Sequence, residues 1–316
     1  MFFRNYFRNT LLLQWRYRTQ QIYTHAKLLS YPILASVKLS CNCLHRQHDH
    51  ENFLATLLLK THIRTAAMVV RAFNVEVSRI QDQTTDPQTA AFRLQFWSDT
   101  LKKIFKKDQI INNVPANPVA QELYKVCTTH KLSKRHLDKL ITSRHSLLKT
   151  KHFPTLEDLE KYSDDAVSSI YHLILGAANV TNINADHCAS HLGKAQGITN
   201  ILRSIQVSSH HRMVSLPMEI LMKHDVSQEM VLRGSDTEHM RNVIFDIASR
   251  ANSHLQKARS ISVPKEAKPI FLSAVAVNSY LEKLEKCHFN VFDRTLHLGN
   301  AMLPFNLYYN KLRNRF

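Results

Sequence analysis

Along most of the chain the apolar positions recur at intervals of three and four, the spacing of one helix face. Between Asn52 and Ile80, the residues Leu54, Leu57, Leu58, Ala66, Val69, Val70, Phe73, Val77 and Ile80 keep this spacing and predict one long amphipathic helix. Asp86-Pro87 ends or interrupts it, because the residue before a proline avoids helical backbone. A second helix is predicted from Phe92 to Phe105, with Phe92, Phe96, Trp97, Leu101, Ile104 and Phe105 on its apolar side. Two prolines, Pro115 and Pro118, mark a loop, and Val119–His130 and Ser133–Lys149 read as two further helices.

Thr155 and Asp158 have the spacing of a capping box, and Leu156, Leu159, Ala166, Ile170 and Leu173 form the stripe that follows. Asn184 is the expected cap of the next helix, whose inward positions are Cys188, Leu192, Ala195, Thr199 and Leu202. Gly193, Ala195 and Gly197 on the same helix predict a close approach, by another helix or by a ligand. A short helix from Met218, a long one over Glu238–Ser260, another over Pro269–Cys287 and a last one over Leu303–Arg313 complete the pattern. No alternating strand pattern extends beyond four residues. About nine helices after residue 50 predict a single all-α domain.

Composition narrows the class. Five glycines in 316 residues are too few for the phosphate turns of a Rossmann sheet or a P-loop. A hydrophobic share of 44% supports a real core. Charge is unevenly spread: residues 1–48 hold seven Lys/Arg and no acid, Asp49 being the first carboxylate. With Arg4 and Arg8 one turn apart beside Phe3, Phe7 and Leu11, this reads as a mitochondrial presequence, leaving residues 49–316 as the folded domain. The longest uncharged run there, Leu28–Val37, is half the ~20 residues a membrane span needs. The remainder carries 35 basic and 25 acidic side chains, an excess that permits an anionic partner without demanding one. Nucleic acid is not expected, since only charge points to it. The five cysteines form no zinc or redox spacing.

Three segments carry a resemblance: Arg71-Ala72-Phe73-Asn74-Val75-Glu76, Phe92-Arg93-Leu94-Gln95-Phe96-Trp97, and Leu192 through Arg203 (LGKAQGITNILR). In order and spacing they resemble the squalene/phytoene synthase family, and Leu216-Pro217 falls where that family has a Leu-Pro. The resemblance implies an all-α isoprenoid-synthase-like bundle. In the family's enzymes two facing helices each carry a D-x-x-x-D pair, which holds Mg²⁺ against a diphosphate. Carried across, the first pair falls on Ser78 and Asp82 and the second on Ser204 and Ser208, so three of the four carboxylates are missing. Independently of that correspondence, no Asp or Glu occurs between His187 and Met218. No metal, cofactor or catalytic residue is therefore expected. Asp82 and Asp86 also have a D-x-x-x-D spacing, but Pro87 places them at a helix end.

More narrowly, the chain resembles the non-catalytic mitochondrial branch of that family. This implies a chaperone-like role early in assembly of respiratory complex I (NADH:ubiquinone oxidoreductase), in the biogenesis of a membrane-arm subunit. The implied partners are complex I subunits or other assembly factors, with peripheral contact on the matrix side of the inner membrane. The alternative is a prenyl diphosphate transferase with rearranged metal ligands. Lys194, Arg203 and Arg212 are the expected anion or lipid-headgroup site at the old diphosphate end of the pocket. His187 and His191, one turn apart, and His45, His48 and His50 around Asp49 read as polar residues rather than metal ligands. The aromatic and basic tail Tyr308–Arg315 is a candidate for the membrane interface.

Overall fold

A computed structural model describes residues 41–84, 86–106, 113–150, 152–210 and 213–316, without the side chains of residues 207–210 and 297. Most of the presequence expected over residues 1–48 lies outside the described residues. Residues 41–48 are helical, and the compact unit runs from Ser40 to Phe316. Cys41 and His45 are fully buried, so the fold takes in the end of the segment assigned to the leader.

The helices are α1 (His50–Leu57), α2 (Thr61–Ser78), α3 (Pro87–Ile104), α4 (Pro118–His130), α5 (Lys134–Thr150) and α6 (Leu156–Ser163). A π-turn over Asp164–Ser168 leads into α7 (Ser169–Ala177), followed by α8 (Ile183–His210) and the short α9 (Met218–Lys223) and α10 (Gln228–Leu232). The chain ends with α11 (Glu238–Ser260), α12 (Ala274–Lys286) and α13 (Leu303–Leu312). Among the described residues the only strand-like pairing is an isolated bridge between Phe153 and Pro217.

Several predicted boundaries move, each for a local reason. The run 52–80 is two helices, because the chain turns at residues 58–60 between α1 and α2. Helix α3 begins at Pro87 rather than Phe92. Asp86 is its N-cap, accepting hydrogen bonds from the Gln88 and Thr89 amides, and proline is tolerated at the first helical position. Asp82 lies in the preceding turn, so the two aspartates do not share a helix end. Asn182, not Asn184, caps α8 through the Ala185 amide. The segment 269–287 splits into a 3₁₀ turn, Lys268–Phe271, and α12. The predicted side of α3 is only partly right: Trp97, Leu101 and Ile104 are buried, whereas Phe92 is 75% and Phe96 44% exposed. The capping box at Thr155 and Asp158 forms as expected.

Helix α8 is the axis of the bundle. Its first half (Ala185, Cys188, Ala189, Leu192, Ala195) joins the core cluster built by α2, α3, α4, α5 and α7. Its second half (Ile198, Ile201, Leu202, Ile205) joins a second cluster with α11 and α12. A smaller cluster, with Ala55, Leu272, Val275, Leu303 and Leu307, docks α1 and α13. The small residues on α8 are explained by a helix, not a ligand. A Cβ added at Gly193 would stand 2.6 Å from Ser168 N, and one at Gly197 would stand 2.8 Å from Ser163 Cα. The backbone of α6 and the π-turn therefore lies directly on α8.

Candidate functional site

A cavity of about 990 Å³ opens between α1, α2, α3, α5, α7, α8 and α12. Its lining includes Ser78, Asp82 and Ser204, positions that correspond to metal-binding carboxylates of the family's enzymes. Ser78 ends α2 and donates its hydroxyl to the Val75 carbonyl at 3.1 Å. Asp82 lines the cavity from the next turn. Across from them Ser204 of α8 donates to the Ile201 carbonyl at 2.8 Å. Ser208 lies one turn further along α8 with its side chain undescribed, and Arg212 lies outside the described residues.

The other acids of the cavity are committed to arginines. Glu51 of α1 accepts from Arg203 Nη1 at 2.6 Å, and the Arg203 guanidinium lies over the Tyr280 ring, 4.5 Å from its centroid. Asp49, the residue preceding α1, stands 3.9 Å from Arg71 Nη1 and 3.4 Å from His45 Nε2. Burial alone would raise the Asp49 pKa, but His45, Arg71 and an Asn52 hydrogen bond outweigh it and hold the carboxyl below its ordinary value. Burial pushes the His45 pKa down.

Beneath this charged layer a buried polar network ties four segments together. The Tyr171 hydroxyl of α7 bonds Gln196 Oε1 of α8 and lies 2.7 Å from Ser273 Oγ, while Gln196 Nε2 donates to Asn52 Oδ1 of α1 at 3.1 Å. Arg71 of α2 lies over the Tyr171 ring, 5.8 Å from its centroid, and Arg144 of α5 donates to the Leu140 carbonyl and, at 2.6 Å, to Asn74 Oδ1 of α2. The lining also has an apolar part, with Leu147, Leu148, Val167, Ile170 and Val277.

Lys194 and Arg203, expected together in an anion site, are not brought together. Lys194 pairs with Glu160 at 3.7 Å, in a cluster that also holds Arg250 and His254, whereas Arg203 faces the cavity and Glu51. His191 of α8 instead meets His254 of α11, Nδ1 to Nδ1, at 2.9 Å. Helical periodicity alone does not mark Arg71 and Arg144 as cavity residues. The signal was present: each interrupts a buried stripe, Arg71 between Val70 and Ala72, Arg144 between Ile141 and Leu147.

The donor set does not fit the family's divalent ion. Mg²⁺ is bound through carboxylates that keep their charge for the metal. Here two of the cavity's acids face guanidinium groups, and α8 contributes hydroxyls in their place. Among the described residues no group of three or more His, Cys, Asp or Glu is arranged to hold a metal.

Comparison with known proteins decides the ancestry. The family model for squalene/phytoene synthase matches residues 45–301. The chain belongs to the squalene/phytoene synthase family. Family members with solved structures share the fold: a squalene synthase from Alicyclobacillus acidocaldarius superposes with a TM-score of 0.70 at 18% identity, covering 83% of this chain and 97% of that one. A dehydrosqualene synthase in complex with ligand gives a TM-score of 0.72 at 17% identity, covering 88% and 96%. At higher identity the relatives carry a different kind of name. The Drosophila melanogaster protein named "NADH dehydrogenase (ubiquinone) complex I, assembly factor 6 homolog" is 41% identical over 87% of this chain and 84% of its own. The Homo sapiens protein of the same name, without "homolog", is 38% identical over 87% and 82%. A 15-cis-phytoene synthase from Synechocystis is only 22% identical, over 82% and 79%.

Proposed function

We propose that this chain is a non-catalytic member of the squalene/phytoene synthase family that acts in assembly of mitochondrial respiratory complex I, early, on a membrane-arm subunit. One observation carries the non-catalytic half of this reading. The two helices that would hold the metal offer Ser78, Ser204 and Ser208 where carboxylates are needed. Two of the cavity's acids, Asp49 and Glu51, are turned toward arginines. Without metal, the negative charge of a leaving diphosphate is not neutralised and the allylic cation does not form. The assembly half rests on the names of the relatives at 38–41% identity. Partners are complex I subunits or other assembly factors.

The site of action is the matrix face of the inner membrane. Residues 1–48, basic and free of acid, supply the import signal. No helix among the described residues is long and apolar enough to cross a membrane. Helix α13 provides peripheral contact instead: Leu303 and Leu307 bury into the domain, while Met302, Phe305, Tyr309 and Leu312 form an exposed stripe beside Lys311, Arg313 and Arg315.

Deleting the protein from cells lowers assembled complex I while the other respiratory complexes persist; unchanged complex I refutes the role. Purified protein incubated with Mg²⁺ and farnesyl or geranylgeranyl diphosphate gives no product. Turnover abolished by Asp82→Ala would establish the transferase alternative instead.

A further inference from the structure

Three arginines line the cavity among the described residues, and they are not equivalent. Arg71 and Arg203 each face a carboxylate. Arg144, only 8% exposed, has neutral partners alone, the Leu140 carbonyl and the Asn74 carboxamide. Its Nε–H has no acceptor, and neither have the Nε–H groups of Arg71, which is 3% exposed, and of Arg203, whose guanidinium lies over the Tyr280 ring. A guanidinium does not escape this situation by losing its proton, and a buried cation without a counter-charge is strongly disfavoured. Burial pushes the Arg144 pKa down, opposed only by the Tyr162 hydroxyl.

Two of these three donors belong to buried side chains, Arg71 and Arg144, whereas the Arg203 side chain is 32% exposed. Asn74, which accepts from Arg144, lies three residues after Arg71 on α2, so both guanidinium groups reach the cavity at the same α2–α5 flank. The same cavity is lined by Leu147, Leu148, Val167, Ile170 and Val277. We infer that the cavity binds an amphiphile through a single oxyanion head, held by Arg71 and Arg144 without a divalent ion, its apolar body running along the α5–α7 wall. A carboxylate or phosphate head supplies the missing counter-charge, and its oxygens accept from the two Nε–H groups. This inference rests on the reading of the pocket as one that holds but does not transform its ligand.

The test is calorimetric titration of the full chain, in EDTA, with dodecyl phosphate, dodecanoate and uncharged dodecanol. Saturable binding of dodecyl phosphate, of dodecanoate or of both is expected, and the pattern identifies the head. Dodecanol binds far more weakly. Arg144→Gln and Arg71→Gln each weaken binding about tenfold or more, the loss that accompanies removal of a charge-assisted hydrogen bond. Arg144→Lys, which keeps the charge and loses the fork, is intermediate. Should Arg144→Gln not fold, the same ranking is read from the ligand-induced rise in Tm of the unmodified protein and of Arg71→Gln. Absence of saturable binding by either anion, binding that requires Mg²⁺, or equal binding by the unmodified and both Gln proteins overturns the inference. None of those results bears on complex I levels in a deletion strain. Turnover of a prenyl diphosphate would remove the non-catalytic reading by a separate readout.

Discussion

Gly193 of α8 lies so close to Ser168 of the π-turn that a methyl group on it would stand 2.5 Å from the Ser168 Cα. The Ser168 hydroxyl, nearer still, can swing aside, but the Ser168 backbone atoms cannot. Gly193→Ala therefore separates α8 from the α6–α7 layer and lowers stability by about 1–3 kcal/mol, the usual cost of overpacking. Urea denaturation followed by circular dichroism measures it. A neutral or stabilising substitution would show that α8 can move off the π-turn at little cost.

Magnesium provides the second prediction. The unmodified protein shows no Mg²⁺-dependent change in Tm, because Arg71 and Arg203 occupy two of the cavity's acids. Putting carboxylates back with Ser78→Asp, Ser204→Asp and Ser208→Asp together restores an affinity for the ion. Its stabilisation reaches about 2.7 kcal/mol when the ion is at about a hundred times its dissociation constant. A thermal shift in the unmodified protein, equal to that of the triple variant, would contradict the proposed charge arrangement.

Acid weakens the fold through His136. Burial, then the neighbouring His172, Lys139 and Arg135, hold its pKa down at about 4 from 6.5, with only Asp164 pulling the other way. Its ring stacks on His172 with centroids 4.8 Å apart. The unfolded chain takes up the proton first, so this contribution is intact above pH 6.5 and is lost as pH falls toward about 4. His136→Asn flattens the stability profile across that interval. A profile of unchanged slope in the variant would place the acid sensitivity elsewhere.

Helix α13 separates membrane contact from folding. Phe305→Ser with Leu312→Ser reduces co-sedimentation with anionic vesicles and leaves Tm unchanged, since both residues are more than half exposed. Leu307→Ala, on the buried face, does the reverse and costs about 2 kcal/mol or more. Equal vesicle binding by the double Ser variant would remove α13 as the contact.

Much of the fold is legible in the sequence because helices announce themselves locally. Met240, Ile244, Ile247, Ala251, Leu255 and Ala258 are buried as their spacing requires, and Thr155 with Asp158 fixes a helix start to the residue. The loss of carboxylates at Ser78, Ser204 and Ser208 is equally a local fact. What periodicity does not give is which polar residue meets which. Phe92 and Phe96 keep an apolar spacing yet face outward, because α3 presents its Trp97 edge to the core. Arg203 reads as a free cation until Glu51, 152 positions away in sequence, is brought beside it. Arg144 reads as one basic residue among many on α5 until its stripe is seen to be buried.

The pairing of Asp49 with Arg71 and of Glu51 with Arg203 makes the chain's amino-terminal side responsible for the electrostatic balance of a chamber built mostly from later helices. A protein truncated to begin at residue 52 would lose His48, Asp49, His50 and Glu51 from the lining and leave Arg71, Arg144 and Arg203 facing an interior short of two carboxylates. Trimming the amino end is thus a change of ligand preference as much as a change of length.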